Sequence, residues 1–496
     1  VNVQIDGEQD FFLPTVREFK VKAAGQLPTG FEPGTLYASR SHPRGLQMMV
    51  YAASDALGSV GISFETMLEH IGIDEVSVYA GSAMGQLDSP GLGGMVKSRY
   101  NGLKVTSKYC PLGLAEMPAD FVNAYVLGSM GSTGAALGAC ASFLYNLRHG
   151  IEDIQSGRSR VAFIGSAEAP VNPEVMEGYA AMGALAADKG LRQLDGLDPG
   201  QEPDHRRACR PFAENCGFTI AESAQMIVLF DDQLAMDLGA TTYGAAIDVF
   251  VNADGHKKSI SGPGVGNYIT VAKAVAAARA IVGEDAVRNA GLVQAHGTGT
   301  PQNRVTESKI LNETAKAFGI DRWPVAALKS YIGHSLGSAS GDQVTSTLGV
   351  WRHGLIPGIN TIDAVADDVF HDHLQIDTKH REIDPEKLDY TVINSKGFGG
   401  NNATGTLLSP CVARKMMRAR YSASEWKSWE TANEAVRERQ LNYDNEMIAG
   451  TVKPVYKFDH NVLGDKDVAV AANEIKIAGR AVNLELKSPY DDMKIN

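Results

Sequence analysis

GLVQAHGTGTPQNRVTESKILNETAKAFG, residues 291–319, holds the architectural unit of this chain in one stretch. GLVQAHG is a short apolar run of strand length that ends in a glycine and threonine loop, and residues 305–319 read as a helix. The same unit recurs on either side. A helix over residues 268–283 precedes it, and a strand VAAL (325–328), a helix after Ser340 and a strand TVINS (391–395) follow. Farther upstream, GLQMMVYAASDAL (45–57) reads as a helix stopped by GSVGI, and EVSVYAGSAMG (75–85) and RVAFIGSAE (160–168) read as strands running into small-residue turns. AQMIVLF (224–230) and ATTYGAAIDVFV (240–251) read as neighbouring buried strands. This alternation predicts an α/β fold with sheets layered between helices.

Composition agrees with a large α/β protein. The 496 residues are 44% hydrophobic and 21% charged, enough for two to four domain-sized units. The 58 acidic against 46 basic residues give a net charge of -12, which argues against nucleic acid as a partner. Five cysteines without a CxxC pair support neither a disulfide framework nor a zinc site, so reduced thiols and a cytoplasmic location are expected. No apolar run approaches the roughly 20 residues that cross a bilayer, and the amino end is not signal-like, so no membrane association is expected. After residue 410 the glycine-rich pattern gives way to the charged, helical sequence 411–442, an extension expected to pack on the main body or on a partner subunit.

Four segments concentrate the chemistry. GSMGSTGAALGACASFLYNLRHGIEDI (128–154) sets Cys140 after a run of small residues and at the start of an amphipathic helix. A thiolate there would be stabilised by the helix dipole and free amides, which predicts a lowered pKa. Cys110, Cys209, Cys216 and Cys411 lack that setting. His296 lies at the carboxyl end of a strand, where open α/β sheets place ligands, and His334 in KSYIGHSLGSASG (329–341) repeats the arrangement. NSKGFGGNNATG (394–405) surrounds Phe398 with glycines that permit close backbone approach. Its amide, paired with that of Cys140, would form an oxyanion hole. HDH at 371–373 has no further ligands at metal-binding spacing, and no metal is expected.

In order and spacing, GACAS around Cys140, AHGTGTP, KSYIGHS and NSKGFGGNN resemble the β-ketoacyl-acyl-carrier-protein synthases, condensing enzymes with a Cys-His-His site. CRPFAENCGFTIAESAQMIVL (209–229) resembles a further segment of that family, so the resemblance covers roughly residues 45–409. It implies a thiolase-like five-layered αβαβα sandwich of two related halves, here 1–232 and 233–409, with 410–496 as extension. The family's opening strand is not evident before residue 45. It would be expected centrally in the first sheet, from residues upstream of Val1 or from an excised segment. Two departures stand out: Arg304 occupies a place where relatives commonly carry an acidic residue, and Cys216-Gly217-Phe218 replaces Asp-Gly-Phe.

The resemblance also implies roles. Cys140 would carry the acyl group, the amides of Cys140 and Phe398 would hold the oxyanion, and Phe398 would gate the acyl pocket. His296 and His334 would donate to the enolate left by decarboxylation of a malonyl thioester. Lys329 and Glu307 would fix this network as a buried pair. No cofactor is required, since substrates arrive on the phosphopantetheine of acyl carrier protein or on coenzyme A. The carrier is acidic, which makes Arg40 and Arg44 the candidate docking residues, and a homodimer is expected. The activity implied is 3-oxoacyl-[acyl-carrier-protein] synthase of fatty acid biosynthesis, with features of a divergent branch that initiates from acetyl-coenzyme A. A polyketide or polyunsaturated-lipid ketosynthase is the nearest alternative. A non-catalytic chain-length partner is disfavoured by the presence of Cys140, His296 and His334 together.

Overall fold

Residues 161–168, VAFIGSAE, are buried along their whole length, so the strand they form has helices on both faces. The computed structural model describes residues 19–259, 262–486, 488 and 490–493. Its first half contains α1 (Arg44–Val60), β1 (Val76–Gly81), β2 (Ser132–Gly134), α2 (Ser142–Gln155), β3 (Val161–Glu168), α3 (Pro173–Ala181) and β4 (Ser223–Phe230). The strands form one sheet in the order β2-β1-β3-β4, parallel except for the antiparallel β4.

The second half contains β5 (Ala245–Asn252), α4 (Gly266–Asn289), β6 (Gly291–Gln294), α5 (Pro301–Phe318), β7 (Trp323–Ala326), α6 (Ala339–His353), β8 (Leu374–Ile376), β9 (Tyr390–Gly397) and β10 (Asn401–Leu408). Their sheet runs β8-β7-β6-β9-β10-β5, with antiparallel joins only at β9/β10 and β10/β5. The run β7-β6-β9-β10 repeats the order and directions of β2-β1-β3-β4. In each half a helix sits between the strand pair that matches, α2 in the first and α6 in the second.

Contacts between elements define five layers. Helix α1 covers the outer face of β3 and β4, and α2 with α6 lies between the sheets, α2 touching β1, β3, β5 and β10. Helix α4 covers β5, β9 and β10 on the far side, with α5 beside it. Three apolar clusters fill the interfaces, centred on Met49 and Phe163, on Phe143 and Ile164, and on Trp323 and Tyr390.

Two expectations are corrected. Residues 224–230 and 240–251 are not sheet neighbours: β4 pairs with β3 in one sheet, whereas β5 pairs with β10 in the other. Both are apolar and separated by a short helix, Asp232–Asp237, so their pattern does not reveal that the chain changes sheets between them. The family's opening strand also has no place at the centre of the first sheet, where β1 and β3 pair directly over six positions. By the repeat, its counterpart is β5, an edge strand, and the matching position is the outer edge of β4, where no strand pairs among the described residues.

The extension packs on the body. Helix α7 (Pro410–Arg420) leads to α8 (Ala423–Ile448), which a capping box of Ser422 and Glu425 starts. Trp429 Nε1 donates to the Ala240 carbonyl (3.0 Å), Asn433 Nδ2 to that of Gly239 (2.9 Å) and Gln440 Nε2 to that of Val60 (3.0 Å). Beyond it, Val455 N bonds Ser54 Oγ (2.7 Å) and the Tyr456 ring meets Tyr37 at 4.7 Å. No described helix is long and apolar enough to cross a membrane.

Candidate active site

Cys140 and His334 occupy matching places, each in the loop before the helix between the sheets, and His296 follows β6. Cys140 is positioned by strain and by polar ties. Ala139 takes a left-handed conformation (φ 50°), a costly state for a residue with a Cβ. The Gly138 amide bonds Ser142 Oγ (3.0 Å), Ser142 Oγ bonds the Ala139 carbonyl (2.6 Å) and Ser395 Oγ donates to the Cys140 carbonyl (2.9 Å). Gly397 must be glycine, because a Cβ there would lie 2.1 Å from the Gly138 carbonyl oxygen. That close approach brings the Phe398 turn over Cys140, and the backbone N–H groups of Cys140 and Phe398 both favour the anionic form of the sulfur.

The predicted lowering of the Cys140 pKa is overturned. The residue is 5% exposed, and burial pushes its thiol up to about 12, outweighing Lys329 and the two amides. Glu168 adds to the rise. The resting group is a thiol, and the two amides await an oxyanion rather than maintain a thiolate.

The imidazoles of His296 and His334 are 5.3 Å apart by ring centroids and nearly perpendicular. Both have pKa values held well below the usual histidine range, first by burial and next by the Lys329 charge. His334 Nδ1 accepts the Leu336 amide (3.2 Å), which leaves the proton of the neutral ring on Nε2. Its own backbone is fixed across the two halves, N–H to the Thr219 carbonyl (2.6 Å) and carbonyl to the Ala221 amide (3.0 Å).

Lys329 and Glu307 converge as expected, but not as an ion pair. Lys329 Nζ donates to the His296 carbonyl (2.5 Å), while Glu307 accepts the amides of His296 (2.7 Å) and Gly297 (2.8 Å). The two charges thus grip one stretch of backbone from opposite sides. Asn394 Nδ2 (2.7 Å) and Asn303 Nδ2 (2.9 Å) fill the remaining acceptor capacity of Glu307.

Sequence reading missed Asn303, Asn394, Ser395, Tyr179, Lys396 and Glu168. Tyr179 on α3 stacks on Phe398 at 6.1 Å and brings its hydroxyl within 3.7 Å of Met84 Sδ. Glu168, at the end of β3, is fully buried with no ion-pair partner among the described residues, and accepts from the Ala83 amide (2.5 Å), Ser82 Oγ (3.0 Å) and the Gly337 amide. Burial raises its pKa from 4.5 to about 7 despite those donors. Between these two values the folded protein binds more protons than the unfolded chain, so stability falls as pH rises from 4.5 to 7. Glu168→Gln is expected to flatten that decline in thermal unfolding curves; an unchanged slope would show the carboxyl to be ionised throughout.

The departures from the family pattern are structurally resolved. Arg304 makes a two-pronged contact with Asp368 (2.8 and 2.9 Å) and reaches Glu214 (2.9 Å), so here the cation sits on α5 and the acids on the facing loops. The Gly217 amide bonds the Gly299 carbonyl (2.9 Å), and the Phe218 ring packs edge-on against His334 at 5.0 Å.

Of the expected docking residues, Arg44 is held in ion pairs. Its guanidinium is engaged by Glu222 (2.6 and 2.8 Å) and Glu32 (2.8 Å). Arg40 is exposed. Residues 371–373 do not converge on a common point: the His373 ring lies against the Ile320 carbonyl (3.2 Å). One trio among the described residues, Asp188, Glu202 and His205, lies within reach of a shared ion, but Lys22 Nζ already stands 3.6 Å from both carboxylates.

A buried cysteine approached by two backbone amides, sharing the Lys329 charge with two neutral imidazoles in a five-layered αβαβα sandwich, is the arrangement of a condensing enzyme of the thiolase-like fold. Residues 29–235 match the family described as beta-ketoacyl synthase, N-terminal domain, and residues 243–363 its C-terminal domain. The chain belongs to the β-ketoacyl synthase family and is an acyltransferase of that kind. It is 52% identical over 495 residues to the beta-ketoacyl-[acyl-carrier-protein] synthase FabY of Pseudomonas aeruginosa, an alignment covering 99% of this chain and 77% of that one. The crystal structure of that ketosynthase superposes with a TM-score of 0.94, over 96% of this chain and 74% of the other. A 3-oxoacyl-[acyl-carrier-protein] synthase 2 of Staphylococcus aureus is 27% identical, over 66% of this chain and 76% of its own. Fatty acid synthase 2 of Mycosarcoma maydis is 26% identical over 78% of this chain but 10% of its own length.

Proposed function

We propose that this chain extends an acyl group by two carbons in fatty acid biosynthesis, condensing a malonyl thioester on acyl carrier protein with an acyl primer held on Cys140. The observation that carries the reading is the pair of N–H groups, from Cys140 and Phe398, that favour an anion at one sulfur, which shares the Lys329 charge with two neutral imidazoles. In the first half-reaction the sulfur attacks the primer thioester, the two amides hold the oxyanion, and the thiol proton leaves with the carrier thiol. In the second, the malonyl carboxylate leaves as carbon dioxide and the enolate oxygen is held by the two imidazoles. The enolate carbon attacks the acyl-cysteine carbonyl, and the departing Cys140 sulfur takes the charge that entered with the carboxylate and then a proton from solvent, which restores the thiol. Every atom balances without a metal or a redox cofactor.

Arg40 remains the candidate contact for an acidic carrier, and a homodimer is the expected assembly. Acyl carrier protein and acetyl-coenzyme A are both candidate primers, and the sequence departures and the tail support initiation from acetyl-coenzyme A. The test offers the purified enzyme malonyl carrier protein with acetyl-coenzyme A or with acyl carrier proteins, and follows 3-ketoacyl product by mass. Product is expected from the acetyl primer; absence of product from every primer would reject the function.

A further inference from the structure

Lys396 is the last polar side chain before the Gly397-Phe398-Gly399-Gly400 turn, and the mechanism above makes no use of it. It leaves β9 toward the first turns of α5, where its Nζ lies 3.2 Å from Asn303 Oδ1 and 3.2 Å from Thr306 Oγ1. Among the described residues no carboxylate comes within ion-pair distance of it, so its charge is held by two neutral oxygens. Asn303 relays the contact: its Nδ2 donates to Glu307, which grips the His296 and Gly297 amides. An unbroken polar chain therefore runs from the residue two before Phe398 to the backbone of His296.

The turn at the other end of that chain has few ties of its own. Gly399 and Gly400 both take left-handed conformations (φ 86° and 84°), and Asn401 Nδ2 closes the turn on the Phe398 carbonyl (2.6 Å). The ring of Phe398 meets Tyr179 and is only half-buried. A glycine-rich turn of this kind needs an anchor to present one amide at a fixed point over Cys140.

We propose that Lys396 is a positioning residue that couples the Phe398 turn to the His296 loop, so that the oxyanion donor and the decarboxylation donor are set by one polar network. The proposal rests on the condensing function given above. Lys396 acts through Asn303, Thr306 and Glu307 and does not touch substrate. Its charge has a second effect, since it faces His296 along with Lys329, His334 and, through the backbone, Glu307. The Lys396 cation opposes protonation of that imidazole.

Three variants separate these contributions. Lys396→Met is expected to lower kcat for condensation about 10- to 100-fold with KM for malonyl carrier protein within about threefold, because an orientation effect falls on the transition state. Its acid limb should move to higher pH, since His296 protonates more readily once the cation is gone. Lys396→Arg should restore most of kcat and the acid limb. Lys396→Gln keeps a donor within reach of Asn303 without the charge, and should retain more of kcat than the methionine variant while showing the same shift of the acid limb. Wild-type kcat and an unmoved acid limb in the methionine and glutamine variants would overturn the role, as would an arginine variant no better than methionine. An inactive wild type in the same assay would instead count against the function itself.

Discussion

Cys140→Ala loses acyl transfer and condensation by roughly four orders of magnitude or more, the scale seen when an enzyme's nucleophile is removed. Malonyl thioester should still release carbon dioxide, because His296 and His334 are held by bonds that do not involve the Cys140 side chain. The alanine fits the cavity of a buried residue whose carbonyl is held by Ser395 and whose preceding residue is held by Ser142, so folding is retained. Two assays decide the matter: radiolabelled acyl transfer to protein, and carbon dioxide release from malonyl carrier protein. Condensation at the wild-type rate would remove Cys140 from the nucleophile's role.

His296→Ala is expected to show the reverse pattern. Losing one donor to a developing oxyanion costs about 10²- to 10³-fold in a preorganised site, so decarboxylation and condensation should both fall by that amount. Acyl loading of Cys140 should persist, since its oxyanion is held by the amides of Cys140 and Phe398. The wild type should also keep decarboxylating below the pH at which an ordinary histidine protonates, because burial and Lys329 hold both rings neutral there. Loss of loading together with decarboxylation would show that His296 serves the first half-reaction as well.

The loops of Cys140, His296, His334 and Phe398 were legible because each couples a glycine-rich turn to a strand or helix end, a pattern that survives in linear sequence. Their protonation states were not. A cysteine ahead of a helix reads as activated, and only burial reveals that desolvation outweighs Lys329 and the two amides. Lys329 and Glu307 were found as a pair but not as a grip on the His296 backbone, since spacing does not tell a side-chain partner from a main-chain one. Glu168 and Lys396 were invisible: one looks like the polar end of a strand, the other like a surface lysine, and their burial depends on loops more than 80 residues away. The neighbour relation of β4 and β5 failed because two apolar edge strands carry no mark of the sheet each belongs to.

The Cys140 loop comes from the first half and both histidines from the second, and the His334 backbone is stapled to Thr219 and Ala221 of the first. Contacts of such separation form late when a chain refolds. On dilution from denaturant, ellipticity should therefore recover before catalysis does. The regain of carbon dioxide release then times the docking of one half against the other, an event that spectroscopic probes within either half would miss.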